Sequence, residues 1–115
     1  MEENVKRGDI YYVDFDLMIG SVQAGMRPVV VIQNDTGNKH STTLIVATIT
    51  SKSEKKRKMP THIVINIEGL SKESIIQLEQ ITTIDKQQIL KFVGTIPSSI
   101  MEEVDNAIKI SLGLE

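Results

Sequence analysis

The run Pro28-Val29-Val30-Val31-Ile32 constrains the fold more than any other segment, because four β-branched residues follow a proline without interruption. Branching at Cβ stiffens χ1 and favours pleated backbone over helix. An apolar run with no alternation reads as a strand covered on both faces. Proline is tolerated at the first residue of such a strand, which places the strand start at Pro28.

Strand-forming segments recur on both sides of that run. Asp9-Ile10-Tyr11-Tyr12-Val13-Asp14-Phe15, after Gly8, reads as a first strand. Residues 16 to 26, with Gly20, Ser21, Gln23 and Gly25, read as a loop, and Asn34-Asp35-Thr36-Gly37-Asn38 as a turn. Thr43 to Thr50 forms a third strand, and residues 51 to 60 a basic loop closed by Pro60. His62 to Ile67 is a fourth strand, Glu68 to Glu73 a turn, Ser74 to Thr83 a fifth strand and Lys91 to Ile96 a sixth. Asp85 with Gln88 fits a capping box around one helical turn. Ser99 with Glu102 fits another, ahead of helically spaced Met101, Val104, Ile108 and Leu112, and Gly113 can end that helix. Many short strands with one C-terminal amphipathic helix predict a mainly β fold: a small, strongly curved sheet or partial barrel over residues 1–115 as a single domain.

Composition narrows the chemistry. Only 3% of the 115 residues are aromatic, so the core rests on Ile, Val and Leu. A domain of this size leaves much surface exposed, and a partner subunit would help cover its apolar faces. The absence of cysteine excludes disulfides, a thiolate nucleophile and cysteine-based zinc sites. The opening Met1 to Arg7 has no apolar run behind it, and no stretch is long enough to span a bilayer. A cytoplasmic protein without a membrane anchor is expected. A net charge of −2 argues against coating nucleic acid indiscriminately, while leaving room for a local basic groove.

Candidate chemistry is sparse. His40 lies in a turn-rich segment and His62 at a strand start, and each reads as a solvent-facing or edge histidine rather than half of a catalytic pair. Asp14 and Asp16, two apart at a strand end, share a face, yet charged strand ends are ordinary, and no metal site is expected. The stretch Lys52-Ser53-Glu54-Lys55-Lys56-Arg57-Lys58 carries excess positive charge directly after Thr50. A basic loop in an acidic protein either stays solvated or gathers a phosphate backbone. Arg27, between a glycine-containing loop and a buried strand, is either a salt-bridged strand-end residue or a bidentate phosphate ligand.

Four blocks, taken in order, tie these segments together. They are Arg7-Gly8-Asp9-Ile10-Tyr11-Tyr12-Val13-Asp14-Phe15, then residues Gly20 to Ile32, then Ile45-Val46-Ala47-Thr48-Ile49-Thr50 with Pro60-Thr61-His62, and last Leu78 to Lys86 with the closing helix. Together they resemble the MazF/PemK (Kid) family of toxin endoribonucleases from type II toxin–antitoxin pairs, over nearly the whole chain. The resemblance implies an SH3-like barrel of the MazF/CcdB type, of about six strands plus a C-terminal helix. It further implies a homodimer whose groove takes single-stranded RNA, with a UACAU-like target in one branch of the family. A cognate MazE-like antitoxin segment would block that groove, and DNA would be reached only through the antitoxin complex. Family members cleave without metal or cofactor by 2′-OH attack, leaving a 2′,3′-cyclic phosphate and a 5′-OH.

Arg27 and Thr50 occupy the positions of the family's catalytic arginine and threonine. A guanidinium stays protonated in proteins, so its role is to stabilise phosphorane charge and assist the leaving 5′-oxygen. Thr50 would hydrogen-bond the same centre. Ser21, Gln23, Lys52, Lys55, Lys56, Arg57, Lys58, Gln80 and Thr82 are the candidate RNA contacts, with Gln23 and Gln80 available to read base edges. Many relatives carry glutamate where this chain has Val22, which cannot accept a proton, so the general base is unassigned. Two other readings use the same fold. A CcdB-like gyrase poison acts through a Trp-containing C-terminus, and this chain has no Trp. A non-catalytic SH3-like module needs an aromatic groove, and two Tyr and two Phe make that thin.

Overall fold

The computed structural model describes residues 4–17, 25–51, 59–70 and 73–114. The strands are β1 (Asp9–Asp14), β2 (Met26–Val31), β3 (Thr43–Ser51), β4 (His62–Ile65), β5 (Ser74–Asp85) and β6 (Ile89–Thr95). Two α-helices, α1 (Asp35–His40) and α2 (Ser98–Leu112), complete the described elements with two single 3-10 turns. One sheet carries all six strands in the order β4-β5-β3-β2-β1-β6, and every neighbouring pair is antiparallel.

β2 is central and buried on both sides, as its sequence requires. Val29 and Val31 enter one apolar core with Tyr11, Val13, Phe15, Leu44, Val46 and Ile84. Val30 enters the other with Ile10, Ala47, Ile49, Ile76, Leu78 and the Val104–Ala107 stripe of α2. Each fully buried valine is worth about 1.5–3 kcal/mol in removed apolar surface.

The sheet curls strongly between its edge strands β4 and β6. Register shifts between Ile10 and Tyr11 and between Tyr12 and Val13 bend the β1–β6 pair. A larger shift falls between Ala47 and Thr48, where β5 passes over residues 78 to 80. Bulges of this kind raise local twist. As a result the segment after β4 touches β6. A Cβ on Gly69, whose φ is +105°, would lie 2.9 Å from Val93 Cγ1, and one on Gly94 would lie 3.8 Å from Ile67 Cγ2. The chain therefore closes into the small barrel with a C-terminal helix that the sequence predicts.

Several boundaries differ from expectation. β2 starts at Met26, so Pro28 is its third residue rather than its first. Phe15 leaves β1 for a 3-10 turn, Phe15–Leu17, while its N–H still bonds Gly25 O at 3.0 Å and extends the hairpin. β4 stops at Ile65 and β5 continues to Asp85. The expected turn at residues 34 to 38 is the start of α1, because Asn34 Oδ1 accepts from Gly37 N at 2.8 Å and caps a helix. The Asp85–Gln88 capping box is present in both directions. The Ser99–Glu102 box is not. Pro97 is the N-cap of α2 and makes no side-chain cap bond, which leaves Ser99 inside the first turn. Gly113 ends α2 in the left-handed conformation at φ 70°, and Leu112 lies exposed beyond the buried stripe.

Candidate active site

Proline opens the site. β2 and β3 pair in register from Val31↔Val46 to Val29↔Thr48, and the ladder stops there, one residue short of Pro28. Proline has no N–H to donate, so a ladder on that side ends where it stands. The same register carried two residues further brings Arg27 across from Thr50. Both then lie on the face that carries Val29 and Thr48, since side chains alternate along a strand. On its other side Arg27 pairs with Val13 of β1, which holds the backbone beneath the guanidinium. Arg27 is half-buried and Thr50 is 8% exposed.

This corner borders a row of buried polar groups. Register aligns Thr48 of β3 with Gln77 of β5, and Gln77 with His62 of β4. Thr48 Oγ1 donates to Gln77 Oε1 at 3.2 Å. Thr48, Gln77 and His62 are 2%, 7% and 6% exposed. Three polar side chains thus replace apolar ones at the end of an otherwise hydrophobic face, which is expensive unless each finds partners or serves a ligand.

The β5 bulge supplies one of those partners. Glu79, within it, turns back to β4 and takes two hydrogen bonds. Thr61 Oγ1 donates to Oε1 at 2.7 Å, and His62 Nε2 lies 2.9 Å from Oε2. Burial alone would raise the Glu79 pKa. The bonds from Thr61 and His62 outweigh it and hold the carboxyl below the ordinary glutamate value of 4.5. An ionised carboxylate only accepts, so His62 Nε2 carries the proton of that bond. His62 Nδ1 is buried and has no hydrogen-bond partner among the described residues.

His62 does lie on an edge strand, β4, but it is not solvent-facing. It is a core residue locked to a carboxylate, whereas His40 stands exposed on α1. Asp14 and Asp16 do not form a paired acidic face, because Asp16 lies in the 3-10 turn. Asp14 Oδ1 accepts from Asp16 N at 3.0 Å, and Asp16 Oδ1 accepts from Gly25 N at 2.9 Å, which braces the hairpin next to Arg27. Among the described residues no group of three or more His, Cys, Asp or Glu could hold a metal.

Of the expected RNA contacts, Gln80 is half-buried in the β5 bulge. Thr82 pairs with Val46, on the face of Thr48 and Thr50. It lies four residues from Thr50 along β3, roughly 13 Å at the rise of a strand. Ser21, Gln23, Lys52, Lys55, Lys56, Arg57 and Lys58 lie outside the described residues. Sequence reasoning passed over Thr48, Gln77 and Glu79. The signal for the first two is a polar residue at the inward parity of a hydrophobic strand, as in Val46-Ala47-Thr48-Ile49-Thr50 and Ile75-Ile76-Gln77-Leu78.

A profile described as PemK-like, MazF-like toxin of type II toxin–antitoxin system matches residues 6–112. Endoribonuclease EndoA of Bacillus subtilis (strain 168) is 48% identical over 112 residues, spanning 96% of each chain. Among solved structures, a mycobacterial endoribonuclease in complex with its cognate antitoxin superposes with a TM-score of 0.79 at 21% identity, covering 96% of this chain and 97% of that one. MazF of Deinococcus radiodurans gives 0.79 at 17% identity, covering 97% and 99%. Those two likenesses concern the fold. The profile match and the bacillar relative decide the family: the chain belongs to the PemK-like, MazF-like toxins of type II toxin–antitoxin systems.

Proposed function

We propose that this endoribonuclease toxin cuts single-stranded RNA at the Arg27–Thr50 corner, without a metal, by attack of a ribose 2′-oxygen on the adjacent phosphorus. The new bond is O2′–P and the broken one is P–O5′. The 2′-oxygen loses its proton, the 5′-oxygen gains one, and the products end in a 2′,3′-cyclic phosphate and a 5′-OH. The Arg27 guanidinium meets the charge that develops on the phosphoryl oxygens and favours departure of the 5′-oxygen. The Thr50 hydroxyl holds the same centre.

One observation supports this reading: the β2–β3 register, which ends at Val29↔Thr48 beside Pro28 and, carried two residues further, brings Arg27 across from Thr50. Donors fixed by strands before the reaction need no reorganisation during it, which is the most effective form of electrostatic stabilisation. The Ser21–Met26 and Lys52–Lys58 segments adjoin these two residues in sequence, and they supply the further backbone and base contacts. Gln80 and Thr82 meet more distant nucleotides along the same face. The active unit is a homodimer working in the cytoplasm, and an antitoxin peptide neutralises it by covering the RNA face. No helix among the described residues is long and apolar enough to cross a membrane. Family membership favours this activity over a gyrase poison or a non-catalytic binding module.

The test is cleavage of a mixed RNA pool followed by end-group analysis. The wild type should give 5′-OH ends at a restricted set of sequences. Arg27→Ala should lose at least 10²–10³ in rate, the loss typical of one preorganised donor. A 2′-deoxy sugar at the scissile position should bind and resist. Efficient cutting of that analogue, or near-wild-type activity of Arg27→Ala, would overturn the mechanism.

A further inference from the structure

Asp14 and Asp16 stand next to the proposed reactive corner, and the chemistry described above uses neither. Their task follows from how β2 is held. On one side the β2–β3 register ends at Val29↔Thr48, because Pro28 has no N–H to give. From Pro28 outward β2 leans on β1, with Val13↔Arg27 and Asp14↔Met26 as the last two pairs. Arg27 therefore sits one pair from the end of a ladder, and ladders open most easily at their ends.

Two carboxylates carry that ladder further. Phe15 N–H still donates to Gly25 O at 3.0 Å, so Phe15 and Gly25 continue the register as a hydrogen-bonded pair. Such a pair normally exchanges two bonds, the second running from Gly25 N–H to Phe15 O. Phe15 has already turned into the 3-10 segment, and the Gly25 N–H goes to Asp16 Oδ1 at 2.9 Å. Asp16 is held in turn, because its own N–H donates to Asp14 Oδ1 at 3.0 Å. A side-chain oxygen thus stands in for a backbone carbonyl. Gly25 is the residue that most needs it. Its φ is +74°, and a Cβ there would meet nothing within 4 Å. Glycine has more backbone freedom to lose than any other residue, and this one lies two positions before Arg27.

We infer that Asp16 is a positioning residue for cleavage: its carboxylate pins Gly25, which keeps the outer end of β2 paired with β1 and Arg27 in place for the phosphate. This rests on the ribonuclease reading above. Asp16 touches no reacting atom and works only through Arg27. The charge stabilisation that a guanidinium offers depends on its placement before the reaction, and a misplacement of about 1 Å can cost about a hundredfold in rate. The loss therefore falls on kcat rather than on RNA binding. The role requires an acceptor oxygen at this point and no charge, so a neutral amide oxygen serves as well.

The experiment uses the full chain and one single-stranded RNA that the wild type cuts, followed in steady state and in single turnover. Asp16→Ala should lower kcat about tenfold to a hundredfold while KM stays within about threefold. Asp16→Asn keeps the Oδ1 acceptor and should hold kcat within about threefold of wild type. Asp14→Ala, which unfastens Asp16 from behind, should show a smaller loss of the same kind. In an Arg27→Ala background, Asp16→Ala should cost nothing more, because nothing is left to position. The Asp16–Gly25 bond is exposed, so its loss leaves the barrel folded, which thermal unfolding of each variant checks. An equal loss in Asp16→Asn overturns the inference, as does a loss confined to KM or a full further loss on top of Arg27→Ala. If the wild type cuts no RNA, the ribonuclease reading falls as well. RNA cut at the wild-type kcat by Asp16→Ala removes this inference alone.

Discussion

Removing Glu79 should loosen the barrel at the edge of the site by a calculable amount. Glu79→Ala deletes two hydrogen bonds to a charged acceptor, from Thr61 Oγ1 and His62 Nε2. Bonds of that class contribute about 1.5–3 kcal/mol each. The carboxylate side chain is 23% exposed, so water partly replaces it and the sum falls to about 2–4 kcal/mol. A chain of 115 residues has an unfolding entropy near 0.24 kcal/mol/K, so the melting temperature should drop by roughly 8–16 °C. Glu79→Gln keeps one acceptor oxygen and should lose about half of that. Thermal unfolding of each variant at neutral pH measures the shift. The pH dependence has a definite sign. A depressed carboxyl pKa means that the folded state prefers the ionised form. The contribution is therefore whole above the ordinary value of 4.5 and is lost as pH falls below it. A double-mutant cycle of Glu79→Ala with His62→Ala should show a coupling of about 1–3 kcal/mol. Additive losses, or a drop of less than about 2 °C in Glu79→Ala, would refute the reasoning.

Two more outcomes follow from the geometry. Cleavage should persist in EDTA, because the charge stabilisation proposed here comes from Arg27 and Thr50; loss of activity that added magnesium restores would contradict it. Gly69→Ala combines a positive-φ backbone with a Cβ 2.9 Å from Val93 Cγ1, so it should destabilise by about 2–3 kcal/mol in thermal unfolding. An unchanged melting temperature would mean that the contact between β6 and the segment after β4 does not close the barrel.

Some of this architecture could be read from local chemistry. The Pro28 to Ile32 run marks a doubly buried strand because its residues leave no face for water. The Asp85–Gln88 box declares itself because donor and acceptor lie three residues apart. Other features share one local signature between two outcomes. Asn34 suits a turn or a helix cap equally, and only the bond to Gly37 N decides. Ser99 with Glu102 has cap spacing, yet the helix begins two residues earlier, behind Pro97. Position in sequence puts Arg27 at a loop mouth, while pairing with Val13 places it on a strand. His62 is the plainest case. Its partner is 17 residues away, and only the β4–β5 pairing together with the bulge brings that partner to the ring. Burial imposed by non-local pairing leaves no trace in the residue's own neighbourhood.

The physical link between fold and chemistry is the way this sheet ends. A strand with valines on both faces is rigid and tolerates little polarity. The chain places its polar groups at the end of that strand, with Thr48 and Gln77 level with Val29 and Arg27 and Thr50 two residues on, past the point where Pro28 stops the β2–β3 ladder. Thr48 and Gln77 satisfy each other there, and Glu79 anchors His62 and Thr61. Arg27 is held from below by β1. Groups fixed in this way by pairing and packing lose little freedom when a charged ligand arrives, so more of their interaction energy is available to the transition state. A loop-borne arginine would have to be ordered first, and the rate would suffer by that ordering. The proline that interrupts the strand is accordingly the residue that lets a hydrophobic sheet carry the proposed reactive corner.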